Sequence, residues 1–455
     1  MLPKNLQYQN KVESASARAY TSAIQPQGGT GGYVAGNTII INIPTSPNTV
    51  LVPSESYLRF DLGGVTLAGA TVYCRLDKCG GHGVIQRLRV THGSQELENL
   101  DNYSALVAEM IALQQSGDSS TGKLNVLNGN CNALYSSTAT REVTMTTVGE
   151  RLTQGANTQY NALAVGVCNP RTFSINLMSL VGSLSHQYVP LFEMTSAPLT
   201  ISIQLVSSVL KFLNPSVALG NTSFTISNVE FMGSFIELSD ESISIIRNSL
   251  AGSPLQYVIQ SYANYTTTAT LQNANTSVSH PVPAKFASLR SLFCLMRSQA
   301  DGAATFFPTS STHFNVSDWK LRIGSQLVPY KSPSTMVEHY SELLKAIGSL
   351  NDVNHEPSLN WYNYASDNVP VANAEVAANM DATTRSCCFA LGFDLESYSG
   401  ADKDKIFAGM NTLNSDIFWN INFLANNPAV GVKFDYYGLY DNVLVFENGV
   451  CYSRR

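Results

Sequence analysis

Cys74, Cys79, His82 and His92 lie in one stretch and carry the side chains of a zinc site. Their C-x4-C-x2-H spacing lacks the tight ligand pairs of structural zinc sites and straddles a strand, a loop and a strand, so loop and core positions are expected and no metal ligand is assigned. Gly28-Gly29-Thr30-Gly31-Gly32 is rich enough in glycine to cradle a phosphate. It lacks the Lys-Ser/Thr ending and the strand-to-helix setting of a P-loop, and reads as a flexible arm. His186, His280, His313, His339 and His355 could each act as a base, yet none accompanies a G-x-S-x-G or comparable nucleophile motif. His339 falls inside a helical pattern beside Glu338, where a surface or packing role is expected. Asp402-Lys403-Asp404-Lys405 reads as a solvated loop, with an inter-subunit ion-pair site as the other role open to it. Asn-x-Ser/Thr sequons at Asn102, Asn221, Asn264, Asn275 and Asn315 follow from a composition rich in those residues and serve only as surface markers. No catalytic residue, cofactor-binding residue or metal ligand is therefore assigned, and no enzyme is expected.

The elements that would have to position any chemistry follow from composition. The 455 residues give a prior of about three domains, or two large all-β ones. Lys plus Arg (27) and Asp plus Glu (33) make 13% of the chain, against roughly 25% in an ordinary soluble domain. Hydrophobic content of 44% is normal, so a compact fold is expected. The net charge of −6, with cations scattered singly, offers no electropositive stripe, and direct nucleic-acid binding is disfavoured. The first thirty residues lack a charged segment followed by an apolar one, and no run approaches the 18 or so apolar residues of a span, so neither a cleaved signal nor a membrane helix is expected. Eight cysteines are too sparse for a disulfide scaffold, and Cys387 and Cys388 are adjacent. Mostly free thiols and synthesis in a reducing compartment are expected.

From Thr38 onward, short apolar runs recur (Ile39 to Ile43, Tyr57 to Leu62, Val84 to Val90, Phe173 to Leu177), separated by Gly, Pro, Asn and Ser. This is a many-stranded pattern. Three segments have helical spacing instead. Leu106, Met110 and Leu113 follow Asp101 as N-cap, with Gly117 as a stop; Ser239, Asp240 and Glu241 precede Ile243, Ile245 and Ile246; Thr335 and Glu338 have capping-box spacing ahead of Tyr340, Leu343, Leu344 and Ile347.

The halves also repeat. Leu88 to Leu97 and Leu321 to Leu327 are each a strand, a Gly-Ser-Gln turn and a strand ahead of a helix. Arg171 to Leu177 has a counterpart in Arg385 to Leu391, and Phe224 to Leu238 in Val432 to Phe446, the last two each reading as two strands in succession. Equivalent places are expected for helices over Tyr103 to Gln114 and Met336 to Ile347.

This organisation resembles the double jelly-roll major capsid proteins of tailless icosahedral DNA viruses. Ser56-Tyr57-Leu58-Arg59-Phe60 looks like an early strand of the first roll in that family, and Ile85 to Val90 through Asp101-Asn102-Tyr103 looks like its strand pair leading into a helix. Tyr188 to Phe192 with Pro198 to Ile201 looks like its Pro-containing passage into a late strand. Val229 to Glu241 is similar to the strand that ends in an acidic turn and linking helix, although Ser242-Ile243-Ser244 stands where the large DNA viruses have a basic cluster. The resemblance implies an all-β fold of two tandem jelly-roll β-sandwiches with a few short inserted helices. The implied divisions are an N-terminal arm (1–36), a first roll (37–238), a connecting helix and linker (239–256) and a second roll (257–455).

It further implies a structural protein of the virion capsid. Homotrimers with pseudo-hexameric outline would tile an icosahedral shell, partnered by neighbouring capsomers, penton and minor capsid proteins, and an internal membrane reached by the N-terminal arm. No cofactor is implied. The rival is a carbohydrate-binding or adhesive β-sandwich. On the arm reading, deleting residues 1 to 30 should impair assembly and leave the subunit folded.

Overall fold

The computed structural model describes residues 17–455 except 66–72, 77–78, 117–118, 120–122, 130–159, 162–170, 186, 216–222, 251, 273, 300–310, 349, 351–358, 360–363, 365–387, 398–406 and 425–429. The first half contains strands β1 (Ala17–Ile24), β2 (Tyr33–Val34), β3 (Thr38–Ile43), β4 (Thr49–Gly63), β5 (Tyr73–Leu76), β6 (Ile85–His92) and β7 (Gln95–Asp101). Helices α1 (Tyr103–Gln114) and α2 (Lys123–Asn128) follow, then β8 (Tyr160–Asn161), β9 (Arg171–Ile175), β10 (Leu199–Leu205), β11 (Leu213–Pro215) and β12 (Thr225–Leu238). Helix α3 (Asp240–Ser249) leads into the second half: β13 (Leu255–Leu271), β14 (Thr276–Val282), β15 (Leu289–Ser298), β16 (Val316–Ile323), β17 (Gln326–Val328), α4 (Met336–Ala346), β18 (Ala390–Asp394), β19 (Ile417–Phe423), β20 (Val430–Glu447) and β21 (Val450–Arg454).

Each half is a pair of antiparallel four-stranded paths in the same order. The first has β1-β12-β4-β9 facing β3-β10-β6-β7; the second has β13-β20-β15-β18 facing β14-β19-β16-β17. Strand by strand these are the same topology, and α1 and α4 occupy the same slot in it. The all-β, double-sandwich expectation matches this architecture.

Local sequence explains the elements. Along β3 the burial alternates so that Ile39, Ile41 and Ile43 point inward, and along β19 Ile417, Trp419, Ile421 and Phe423 do the same. Trp319 and Trp419 meet at 5.4 Å between ring centroids in the second core. The matching hairpins β6-β7 and β16-β17 turn over two residues whose first is Gly93 (φ 57°) or Gly324 (φ 58°), the position a type II′ turn reserves for glycine. Pro53 interrupts β4 where its register with β12 shifts between Met232 and Ser234. The Ser56 hydroxyl accepts the Ser234 N–H there at 3.1 Å, restoring a bond the ladder loses.

Several expectations are corrected. The arm assigned to 1–36 contains β1, paired with β12 along its whole length, and β2, also paired with β12. Its sequence hides this because Ala17 to Thr21 are exposed on both faces and give no period-2 signal. The Gly-rich segment is likewise folded back: Thr30 O accepts the Val229 N–H at 2.8 Å, and Gly29 O accepts the Tyr33 hydroxyl at 2.8 Å. Deleting residues 1 to 30 would remove a sheet strand, not a tail. The connecting segment assigned to 239–256 already includes the start of β13. Phe224 to Leu238 and Val432 to Phe446 each fold as most of one long strand. The residue ahead of α1 is Asn102, not Asp101, which closes β7. Arg385 to Cys387 lie outside the described residues, although β9 and β18 hold equivalent edge positions.

Candidate functional site: the seam between the rolls

Each described histidine among the candidates is held by a partner inside the fold. His82 lies in a buried 3-10 turn (Gly80–Val84) with Nδ1 3.1 Å from the Tyr103 hydroxyl. That hydroxyl oxygen accepts the Met178 N–H at 2.9 Å, so its own proton is free to go to His82. Burial lowers the His82 pKa to about 3, which keeps the ring a neutral acceptor. His92 Nδ1 accepts the Cys451 N–H at 3.1 Å, so Nε2 carries the proton and donates to Ala197 O at 3.0 Å. His82 and His92 are thus committed to separate partners. Cys79, Cys294, Cys388 and Cys451 are buried and not joined in disulfides, and the Cys74 side chain lies outside the described residues. Among the described residues no three His, Cys, Asp or Glu side chains are grouped to hold a metal.

His280 pairs with the Tyr436 hydroxyl at 2.7 Å, His313 Nδ1 accepts the Asn315 N–H at 2.9 Å, and His339 Nδ1 accepts Trp319 Nε1–H at 3.1 Å. Burial takes His339 down to about 4. His186, His355, Asn221 and the run Asp402 to Lys405 fall outside the described residues. Asn275 is exposed. The sequons at Asn102 and Asn264 are not surface markers: both are built into the junction of the two halves.

Buried polar groups line that junction. Asn102 has a left-handed backbone (φ 48°), which asparagine tolerates better than most residues, and this turns β7 directly into α1. Its Nδ2 lies 3.0 Å from Asn264 Oδ1, 3.0 Å from Thr266 Oγ1 and 3.1 Å from Asp435 Oδ1, all in the second roll. Its Oδ1 accepts from Gln86 at 2.9 Å and Lys433 at 3.3 Å, and its carbonyl accepts the Tyr437 hydroxyl at 3.0 Å. The Asp435 carboxylate, with no side-chain exposure, also takes Thr266 at 2.7 Å and Arg297 Nε at 2.9 Å. Burial alone would raise its pKa, but Arg297 and Lys433 with these donors hold it below the usual range, so it stays charged.

A second polar group lies on β7. Glu98 is wholly buried, yet Oε2 accepts from the Ser179 hydroxyl at 2.5 Å and the Leu180 N–H at 2.9 Å, while Oε1 accepts from Ser261 of the second roll at 2.8 Å. Burial outweighs these donors and raises its pKa.

The second roll's final hairpin then reaches back over the first. Asn448 (φ 53°) and Gly449 (φ 79°) supply the two left-handed residues of a type I′ turn between β20 and β21. Across it run Gly449 O to the Ser196 N–H at 3.1 Å, the Cys451 N–H to His92, Asn442 Nδ2 to Leu97 O at 3.1 Å, and an Arg455–Glu96 ion pair at 3.6 Å. Around these groups one hydrophobic cluster runs from the first roll into the second, including Leu97, Leu100 and Tyr103 with Tyr257, Tyr262 and Tyr437. Helix α3 is fastened to the first roll: Ile243 packs with Val50 and Phe192, and Arg247 pairs with Glu193 at 2.8 Å.

No motif marked this seam. The signal available was an acidic residue inside a largely apolar run, Asp435 between Phe434 and Tyr436; Glu98 gave none, because Glu96, Asn99 and Asp101 beside it are polar too.

No protein-family model and no curated protein sequence matches the chain. Solved structures do. The crystal structure of PBCV-1 VP54 fitted into a cryo-EM reconstruction of the virophage Sputnik is 10% identical, with a TM-score of 0.62 over 99% of both chains. The cryo-EM structure of the Sputnik virophage is 13% identical, with a TM-score of 0.62 over 100% of this chain and 92% of that one. The mavirus major capsid protein is 11% identical, with a TM-score of 0.58 over 100% and 94%. At such identities the likeness is one of fold, and it places the whole chain in the double jelly-roll architecture of these structures.

Proposed function

We propose that this chain is a viral major capsid protein: a structural subunit that forms homotrimers with a pseudo-hexameric outline, which tile an icosahedral shell. The observation that carries this reading is two sandwiches of one topology, fused through a core-like seam, in a chain that matches structures of capsid proteins from end to end. A shell wall must resist deformation, and a buried polar network closed on every side favours one orientation of the rolls over others. We divide the chain, on the same reading, into a first roll from Ala17 to Leu238, a linking segment around α3 and a second roll from Leu255 onward. Neighbouring capsomers, penton and minor capsid proteins are its partners on this reading, and contact with an internal membrane belongs to the same proposal.

Electron microscopy of the purified protein, or of its source particle, tests the assignment. The expected images show capsomers of hexagonal outline with three repeats. Isolated single subunits that bind glycans would replace the reading with that of an adhesive or carbohydrate-binding protein.

A further inference from the structure

Lys433, Asn102 and Asp435 bring an amine, an amide and a carboxylate together at the seam. Lys433 Nζ donates to Asn102 Oδ1 at 3.3 Å and lies 3.7 Å from Asp435 Oδ1. The same Asp435 oxygen accepts from Asn102 Nδ2 at 3.1 Å, so one carboxylate oxygen reaches both the amine and the amide nitrogen. Gln86 Nε2 donates to Asn102 Oδ1 at 2.9 Å. These are the parts of an acyl transfer: a nucleophile, a proton carrier between it and the leaving group, and a donor on the oxygen where negative charge develops.

The surroundings hold the amide in one orientation. Asn264 Oδ1 and Thr266 Oγ1 each accept from Nδ2 at 3.0 Å, while Gln86 and Lys433 both donate to Oδ1, so exchanging the amide nitrogen and oxygen would set like against like. The Tyr437 hydroxyl, donating to the Asn102 carbonyl at 3.0 Å, fixes the backbone beneath. Asp435 has no side-chain exposure, and Arg297 Nε at 2.9 Å keeps it ionised and able to take a proton. The Lys433 side chain retains 30% exposure, an open side through which a leaving nitrogen can depart.

We infer that Lys433 and Asn102 become joined by an isopeptide bond across the seam, with Asp435 as the catalytic residue and Gln86 as the oxyanion donor. The Lys433 ammonium passes a proton to Asp435, and the freed amine attacks Asn102 Cγ. A C–N bond forms as the carbonyl electron pair moves onto Oδ1, where the Gln86 N–H stabilises it. Return of that pair breaks the Cγ–Nδ2 bond. Two protons in all pass from Nζ to Nδ2 by way of Asp435, the nitrogen leaves as ammonium, and the carboxylate is restored. Atoms and charge balance without a further reactant. The product links positions 331 residues apart, one in each roll, which restricts the unfolded chain and fastens the rolls to each other. The bond is independent of the capsid reading and goes beyond it.

Mass spectrometry of the full-length protein tests this, after the folded protein has been held at mildly alkaline pH to favour the free amine. The expected mass is one ammonia below that of the sequence. Tryptic digestion should yield a branched peptide in which the chain is uncut after Lys433 and joined there to the peptide holding Asn102. Lys433→Arg keeps a cation beside Asp435 but cannot form the bond, and should show its full mass with the near-ultraviolet circular dichroism of wild type. Asp435→Asn should lose the branched peptide as well. Because the branched peptide is sought in the wild type, the result does not depend on either variant folding. A wild type that yields the two peptides separately overturns the bond, even if ammonia is lost, since a loss that persists in Lys433→Arg comes from an asparagine closing on its own backbone. A branched peptide that forms equally well in Asp435→Asn overturns the role of Asp435.

Discussion

Helices α1 and α4 fill the same slot in two sandwiches of the same topology and live in opposite surroundings. Every residue of α1 from Tyr103 to Met110 is buried, including Glu109, because the second roll closes over the side that solvent would otherwise reach. Helix α4 buries only His339, Leu343 and Ala346 and is finished with surface devices. The Thr335 hydroxyl accepts the Glu338 N–H at 3.2 Å, Lys345 pairs with Glu342 at 2.7 Å, and Lys331 with Glu338. Duplication conserves where a helix goes. What the helix must be made of depends on what covers it.

Mutations should separate the two environments. The largest effect is expected at the charged center of the seam. Asp435→Ala leaves Arg297 and Lys433 without their carboxylate and Asn102 without one of its acceptors, and should cost about 4 kcal/mol in denaturant unfolding. Leu106→Ala, on the covered helix, should cost about 3 kcal/mol by opening a cavity. Glu98→Ala strands the Ser179 and Ser261 hydroxyls and the Leu180 N–H and should cost about 2 kcal/mol. On the open side the effects shrink. Thr335→Ala removes one cap for about 1 kcal/mol, and Val337→Ala should fall within about 0.5 kcal/mol in the isolated subunit. Equal losses at Leu106 and Val337 would dissolve the comparison.

The two seam carboxylates also titrate in opposite senses. Asp435 has its pKa depressed by folding, so its contribution is present above the unfolded value of about 3.9 and is lost as pH falls through the folded one. Glu98 has its pKa raised, so the folded state binds its proton more tightly. Stability linked to it is greatest below the unfolded value of about 4.3 and falls as pH rises through the folded one. Urea midpoints against pH should therefore show the acid-side loss weakened in Asp435→Asn and the decline above about pH 4.3 flattened in Glu98→Gln. A Glu98→Gln profile parallel to wild type would mean that this carboxyl does not carry the linkage.

Much of the fold was legible because its strongest signals are local. Alternation in Ile39 to Ile43, the Gly93 and Gly324 turns and the Ser239 and Thr335 caps each depend on a few neighbouring residues, and each lies where the sequence suggests. Strand β1 was missed because pairing with β12, not a buried face, holds it in the sheet. The seam was missed for a related reason. Asn102 and Asp435 are 333 residues apart, and nothing in the spacing of an ordinary sequon or a lone aspartate shows that the fold brings them to 3.1 Å. Which side of a helix is covered emerges only from exposure in three dimensions.

Sedimentation equilibrium of the full-length protein at micromolar concentration tests the central claim most directly. The account predicts a single species of about three times the 49.3 kDa chain mass, stable to dilution as a ring of closed contacts should be. A monodisperse monomer of 49.3 kDa under the same conditions would contradict it.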